Sequence, residues 1–330
     1  MLLTAAGVAG LAHFQPILEW MERRQLAIWA GQNALYAHHV AFADADDRLL
    51  LQDIRRADFR RGGVYFIGSS TMQFAMAPWL LAADERRRIH NFALKSANYS
   101  EQLQWVRYLV EHKGLLQAGS GRNLVVLGLS HLDARAKLPG TIDWNYIPAL
   151  FERHGLYSYD ADRGIGDALP GPLDWLQRER MRGHHFLRSL WKHRVLPVRP
   201  PHPDSGIEPA ESAKARAVIH TIMGGEDWSI HMDRQLERLR QIVLYLKERG
   251  ARVEAVMIPL ASWNRGFTEA EAFDGRAKEI LRAAGVRVTD LQWACPDSQF
   301  FDMIHLNARG QQATTPLLAQ IGVRFLTGAE

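Results

Sequence analysis

The sequence predicts an α/β fold: a three-layer sandwich with a central parallel sheet between helices. Three observations predict it. Short apolar segments at roughly 64–68, 89–93, 123–128, 252–258 and 286–290 alternate with longer segments of helical character. Strands covered on both faces of a parallel sheet read as such continuous apolar runs. Segment 230–249 places Leu236, Leu239, Ile242, Val243 and Leu246 on one stripe, stops at Gly250, and passes directly into Val253–Ile258 and Pro259, which is a helix feeding a strand. The 330 residues, 47% hydrophobic and 23% charged, suffice for one large core without staples.

The remaining helices are expected at about 72–83, 100–113 with Ser100 as N-cap, 268–284 and 308–324. Residues 1–60 are expected to form an N-terminal helical stem or a degraded membrane anchor. Leu2–Phe14 is a small-residue apolar run, shorter than the ~20 residues of an ordinary span and without the basic start of a secretory signal. It reads as the tail of a truncated span or as a buried helix. Ile17, Trp20, Met21, Leu26, Trp29 and Leu35 then give the stem a broad apolar face. Residues 61–330 are expected to be the catalytic domain, interrupted by a helical insertion at about 131–230. The insertion holds Trp144, Tyr146, Tyr157, Tyr159, Trp175, Trp191 and Trp228 and the prolines Pro197, Pro200, Pro201 and Pro203. It reads either as a helical subdomain packed on the core or as an aromatic lid that stacks on sugar rings.

The chemistry is carried by two short blocks. Val64-Tyr65-Phe66-Ile67 runs straight into Gly68-Ser69-Ser70-Thr71, and Asp302-Met303-Ile304-His305-Leu306-Asn307 lies near the C-terminus. A serine nucleophile needs a base to take its proton, and the base needs an acid to hold its tautomer. Ser70, His305 and Asp302 supply all three, in a chain order known for α/β hydrolytic sites. Each block alone has a plainer reading: Gly-Ser-Ser as a turn, and Asp302 or Asn307 as a helix cap. Together, each at a loop where a strand ends or a helix begins, they point to a catalytic triad.

On these blocks the chain resembles the SGNH/GDSL hydrolase superfamily, a flavodoxin-like fold, and within it the acyl-transfer branch of DltD-like and alginate O-acetyltransferase-like (AlgJ/AlgX) proteins. The resemblance places the nucleophile on Ser70 rather than Ser69, the acid on Asp302 and the base on His305. The family's second block, Asn-Leu-Gly-x-x-Gly, is matched in position by Asn91-Phe92-Ala93-Leu94-Lys95-Ser96, with both glycines replaced. It implies that the backbone N–H groups of Ser70 and Ala93 bind an oxyanion. The third block, Gly-x-Asn-Asp, is replaced by Gly128-Leu129-Ser130-His131-Leu132-Asp133. Ser130 or His131 stands where the family's Asn donates, and both also read as solvated loop residues. Asn91, His131, Trp263 and Asn307 are the candidate substrate-binding residues.

The expected function is that of a serine-dependent acyl-ester hydrolase or O-acyltransferase acting on an acylated carbohydrate or cell-surface polysaccharide. A membrane-bound O-acyltransferase is the partner that the resemblance implies, and the expected location is periplasmic or extracytoplasmic, with a cytoplasmic one left open. The alternative is an inactive glycan-binding or scaffold protein of an exopolysaccharide assembly complex. No cofactor and no metal is expected: Cys295 is the only cysteine, and the His184-His185 pair has no third ligand spaced with it. A nucleotide-binding protein is disfavoured, since there is no Gly-x-Gly-x-x-Gly or Walker loop. Nucleic acid is not an expected partner. The net charge is +4, and the arginine pairs and triplet at 55–56, 60–61 and 86–88 are scattered, as solvated faces are.

Overall fold

The structure, a computed structural model, describes residues 57–136, 209–300 and 302–328, with Leu50, Ile54 and two short strands at 158–160 and 164–166. Nearly all of the expected stem lies outside the described residues. So do Trp144, Tyr146, Tyr157, Trp175, His184, His185, Trp191 and His193 and the 197–203 prolines of the expected insertion.

The described residues contain strands β1 (Gly63–Ile67), β2 (Ile89–Asn91), β3 (Asn123–Leu129), β4 (Ser158–Asp160), β5 (Gly164–Gly166), β6 (Arg252–Met257) and β7 (Arg287–Asp290). The helices are α1 (Ser70–Ala75), α2 (Tyr99–Glu111), α3 (Pro209–Met223), α4 (Trp228–Glu248), α5 (Thr268–Ala283) and α6 (Ala308–Thr327). Five strands make one parallel sheet in the order β2-β1-β3-β6-β7. Counted within that sheet alone the order is 2-1-3-4-5, the flavodoxin-like winding, whose ligand crevice lies at the carboxyl ends of the first and third strands. The loops holding Ser70 and Ser130 leave the sheet at that crevice.

Residue pattern explains the layers. β1 and β3 are buried throughout, β6 is buried except near its start, and β7 is a half-exposed edge. Side chains alternate across β1. Val64, with Ile89 beside it, faces Gly322 of α6, where an added Cβ would come within 3.1 Å of Ile89. On the other face Tyr65 stacks with His90 and Phe92, and Trp105 of α2 donates its indole N–H to the Phe92 carbonyl at 2.8 Å. Helices α2, α4 and α5 pack side by side. The sheet and its helices belong to a compact unit of Asp53–Trp144 and His202–Glu330. The turn at 131–134 and helix α3, placed in the insertion by sequence, are part of this unit. β4 and β5 pair antiparallel within a second unit, Met1–Gln52 and Asn145–Pro201.

Two helix ends differ from expectation. The helix expected to reach residue 83 stops at Ala75, with Met76 and Ala77 extended before Pro78. The residue before a proline is driven out of helical geometry. The N-cap of α2 is Asn98, not Ser100: Asn98 Oδ1 accepts from the Glu101 amide while Glu101 Oε2 accepts from the Asn98 amide, a capping box. Ser100 bonds Gln235 of α4 instead.

Helix α1, which carries Ser70, is fixed at both ends. Near its start, Met72 lies against Gly68 and Gly128, where an added Cβ would meet Met72 at 2.8 Å and 2.6 Å, so these two positions must lack a side chain. At its end, Thr314 of α6 donates to the Ala75 carbonyl at 2.6 Å, and Thr315 accepts from the Ala77 amide at 3.0 Å.

Candidate active site

Ser69 and Ser70 have separate tasks. Ser69 is buried and extended, and its Oγ accepts from the Thr71 amide as the N-cap of α1. Ser70 is the first helical residue, so its N–H has no partner inside the helix. The Ser70 Oγ is 2.9 Å from His305 Nε2, and His305 Nδ1 is 2.8 Å from Asp302 Oδ2. A carboxylate only accepts, so this arrangement puts the ring hydrogen on Nδ1 and leaves the Nε2 lone pair for the serine hydroxyl.

The base loop is held from several sides. An isolated bridge between Phe300 and Leu306 closes it, and the other oxygen of Asp302 accepts from the amides of Ile304 at 2.7 Å and His305 at 2.6 Å. The His305 ring packs at 4.9 Å against Phe74, one turn along α1 from Ser70. Burial alone would raise the Asp302 pKa. The His305 imidazole and the three hydrogen bonds to the carboxylate outweigh it and hold Asp302 below the ordinary carboxylate value. Asp302 therefore stays ionised through the neutral range.

The other sequence-singled residues, His131 aside, are held in structural hydrogen bonds. Asn91 donates from Nδ2 to the carbonyls of Met72, Gln73 and Met76, tying β2 to α1. Its Oδ1 accepts the Ala93 amide at 3.0 Å. This corrects the expected role of Ala93 in the resting site: its one N–H is spent on Asn91, not presented beside Ser70. Ser130 is buried, and its hydroxyl accepts from the Leu132 amide, capping the 131–134 turn. His131 is buried with its ring edge-on to Trp263 and Phe267, and burial pushes its pKa down to about 3. Asn307 is the N-cap of α6, accepting from the amides of Arg309 and Gly310 and donating to Ser298 and Phe300.

Trp263 is buried, and its indole N–H donates at 2.7 Å to the carbonyl of Met303, inside the Asp302–His305 turn. That is a brace on the base loop. Trp263→Phe keeps the ring and loses this bond, so kcat for a small ester should fall roughly tenfold with KM nearly unchanged. Steady-state kinetics would check this. A raised KM at constant kcat would make Trp263 a substrate contact instead.

Sequence reasoning missed two charged residues at the same strand ends. Asp133 is fully buried, and neither carboxyl oxygen completes a hydrogen bond. Burial pushes its pKa up to about 7, against the opposing pull of Ser69, Arg135, Gln102 and the Ser130 backbone. Arg135 is also buried and is bonded to two loop carbonyls. The only hint in the sequence is that both follow directly on an apolar strand. Among the described residues no group of three or more His, Cys, Asp or Glu is placed to hold a metal, and no helix is long and apolar enough to cross a membrane. Cys295 is buried, which pushes its thiol up to about 11.

No protein-family model matches the chain, and no curated protein matches it. Among solved structures it is similar to the crystal structure of a "putative acylhydrolase" from Bacteroides fragilis NCTC 9343. The identity is 11% and the TM-score 0.41, over 87% of this chain and 99% of the other.

Proposed function

We propose that the chain is a serine-dependent acyl-ester hydrolase or O-acyltransferase of the SGNH type, acting on an acylated carbohydrate or cell-surface polysaccharide. The observation that carries this reading is the unbroken line Ser70 Oγ–His305–Asp302, at 2.9 Å and 2.8 Å, at the crevice of the sheet. Ser70 Oγ attacks the acyl carbonyl carbon while its proton passes to His305 Nε2. Asp302 balances the imidazolium. The Ser70 N–H donates to the oxyanion. As the tetrahedral intermediate collapses, the C–O bond to the leaving alcohol breaks and His305 returns the proton to that oxygen. His305 then takes a proton from the acceptor hydroxyl, which attacks the acyl-serine and frees Ser70. Water as acceptor gives hydrolysis, and a glycan hydroxyl gives transfer.

The engaged Ala93 amide favours the second reading, a chain that holds acylated glycans without turning them over, since that amide must leave Asn91 before it can serve an oxyanion. Incubating the protein with an activated acetyl ester and an oligosaccharide separates the readings. Free acetate means hydrolysis, acetylated oligosaccharide means transfer, and neither product means binding alone. If Trp228, the first residue of α4, lies on the acceptor's path, Trp228→Ala should lower transfer severalfold and spare small-ester hydrolysis, because remote contacts act on the larger acceptor alone. A parallel loss of both activities and of thermal stability would make Trp228 a core residue. The glycan acceptor, the extracytoplasmic location and a membrane-bound partner are supported by the family resemblance of the four blocks.

A further inference from the structure

We propose that Arg135 is a positioning residue for acyl transfer at Ser70: its guanidinium clamps segment 92–97 to the loop after β3. The inference rests on Ser70 being the nucleophile. Segment 92–97 continues the ladder beyond β2, with the Phe92 amide donating to the Phe66 carbonyl and the Leu94 amide to the Gly68 carbonyl, each at 2.8 Å. That line runs beside Gly68 and Ser69, so the setting of the segment bears on the strand end from which the Ser70 loop starts.

The segment turns back at Ser96, whose φ of +57° is in the left-handed region. A serine holds that conformation only where its surroundings impose it. Arg135 imposes it. One arm of the guanidinium donates to the Ser96 carbonyl, and the other to the Leu132 carbonyl at 2.8 Å. The Arg135 carbonyl in turn accepts from Asn98 Nδ2 at 3.3 Å, at the start of α2. Charge-assisted bonds from one planar fork constrain direction as well as distance. Arg135 is only 7% exposed, so these bonds do not compete with bulk water. The fork thus joins the loops after β2 and β3, on either side of the loop that carries Ser70.

The test is ester hydrolysis by Arg135→Lys and Arg135→Met, with Ser70→Ala as reference. Arg135→Met should lower kcat roughly 100-fold with KM within about twofold, since misplacing the reacting groups costs rate rather than binding. Arg135→Lys, which keeps the charge and can hold one carbonyl, should recover about tenfold of that loss. If Arg135→Met does not fold, Arg135→Lys decides, with an expected fall of about tenfold and a native-like melting temperature. Ser70-dependent hydrolysis with an unchanged kcat in folded Arg135→Lys and Arg135→Met would overturn the clamp alone. Hydrolysis that persists in Ser70→Ala would overturn the nucleophile, and the clamp with it.

Discussion

Ser70→Ala is expected to remove nearly all hydrolysis of a small activated ester such as p-nitrophenyl acetate, a loss on the order of 10⁴–10⁶ in kcat. The hydroxyl it deletes lies 2.9 Å from His305 Nε2. His305→Ala should cost about as much. The double variant should be no worse than either single one, because nucleophile and base act as a unit. Asp302→Asn should retain more activity, with a loss of roughly 10⁴, since it leaves the imidazole in place but can favour the wrong tautomer. Neither Ser70→Ala nor His305→Ala removes a buried side chain, so melting temperatures should stay close to wild type.

The second large effect is on stability. Asp133 is carried from an ordinary value of 3.8 to about 7 by burial. The folded protein therefore holds a proton that the unfolded chain has released between about pH 4 and pH 7. The contribution of Asp133 to folding stability must fall as pH rises across that window and level off above it. The full span is on the order of 4 kcal/mol. Asp302 has the opposite sign: its depressed value adds stability above the ordinary carboxylate pKa, lost as pH falls through its folded value. It does not affect the neutral range. Asp133→Asn has no proton to lose, so its melting temperature should gain on wild type between pH 5 and pH 8, by on the order of ten degrees. His131 has the opposite sign: burial holds it near 3, so below about pH 6.5 the unfolded chain takes up a proton that the folded protein does not, and this contribution is common to variant and wild type and drops out of their difference. A difference between variant and wild type that stays constant with pH would show that Asp133 is ionised in the folded protein at pH 5.

The architecture was legible because parallel strands buried on both faces leave plain apolar runs. All five strands of the sheet fall within a few residues of where those runs stand. The helix α4 stripe is equally plain, with Leu236, Leu239, Ile242, Val243 and Leu246 all buried. Helix ends were less legible, because they turn on single contacts: Pro78 shortens α1, and the Asn98–Glu101 pair places the N-cap of α2 two residues early. In the candidate site, Ser70, Asp302 and His305 could be picked out because the proposed chemistry requires those residue types. The surrounding polar residues could not be sorted. Asn91, Ser130, Trp263 and Asn307 all sit at loops near the site, as a ligand contact would. Yet their polar atoms close helix ends and brace loops. Sequence position does not say which way a side chain's polar atom points. Arg135 and Asp133 were hidden for a related reason: a charged residue in a loop reads as solvated until the fold covers it.

The most direct test of the account is covalent labelling with a fluorophosphonate, which reacts with a serine only when a neighbouring base activates its hydroxyl. The account predicts stoichiometric modification of the wild-type protein, with the adduct located by peptide mass spectrometry on Ser70 and not on Ser69. It also predicts no labelling of Ser70→Ala and strongly slowed labelling of His305→Ala. An adduct on any other residue, or a wild-type protein that is folded and yet inert to the probe, would contradict it.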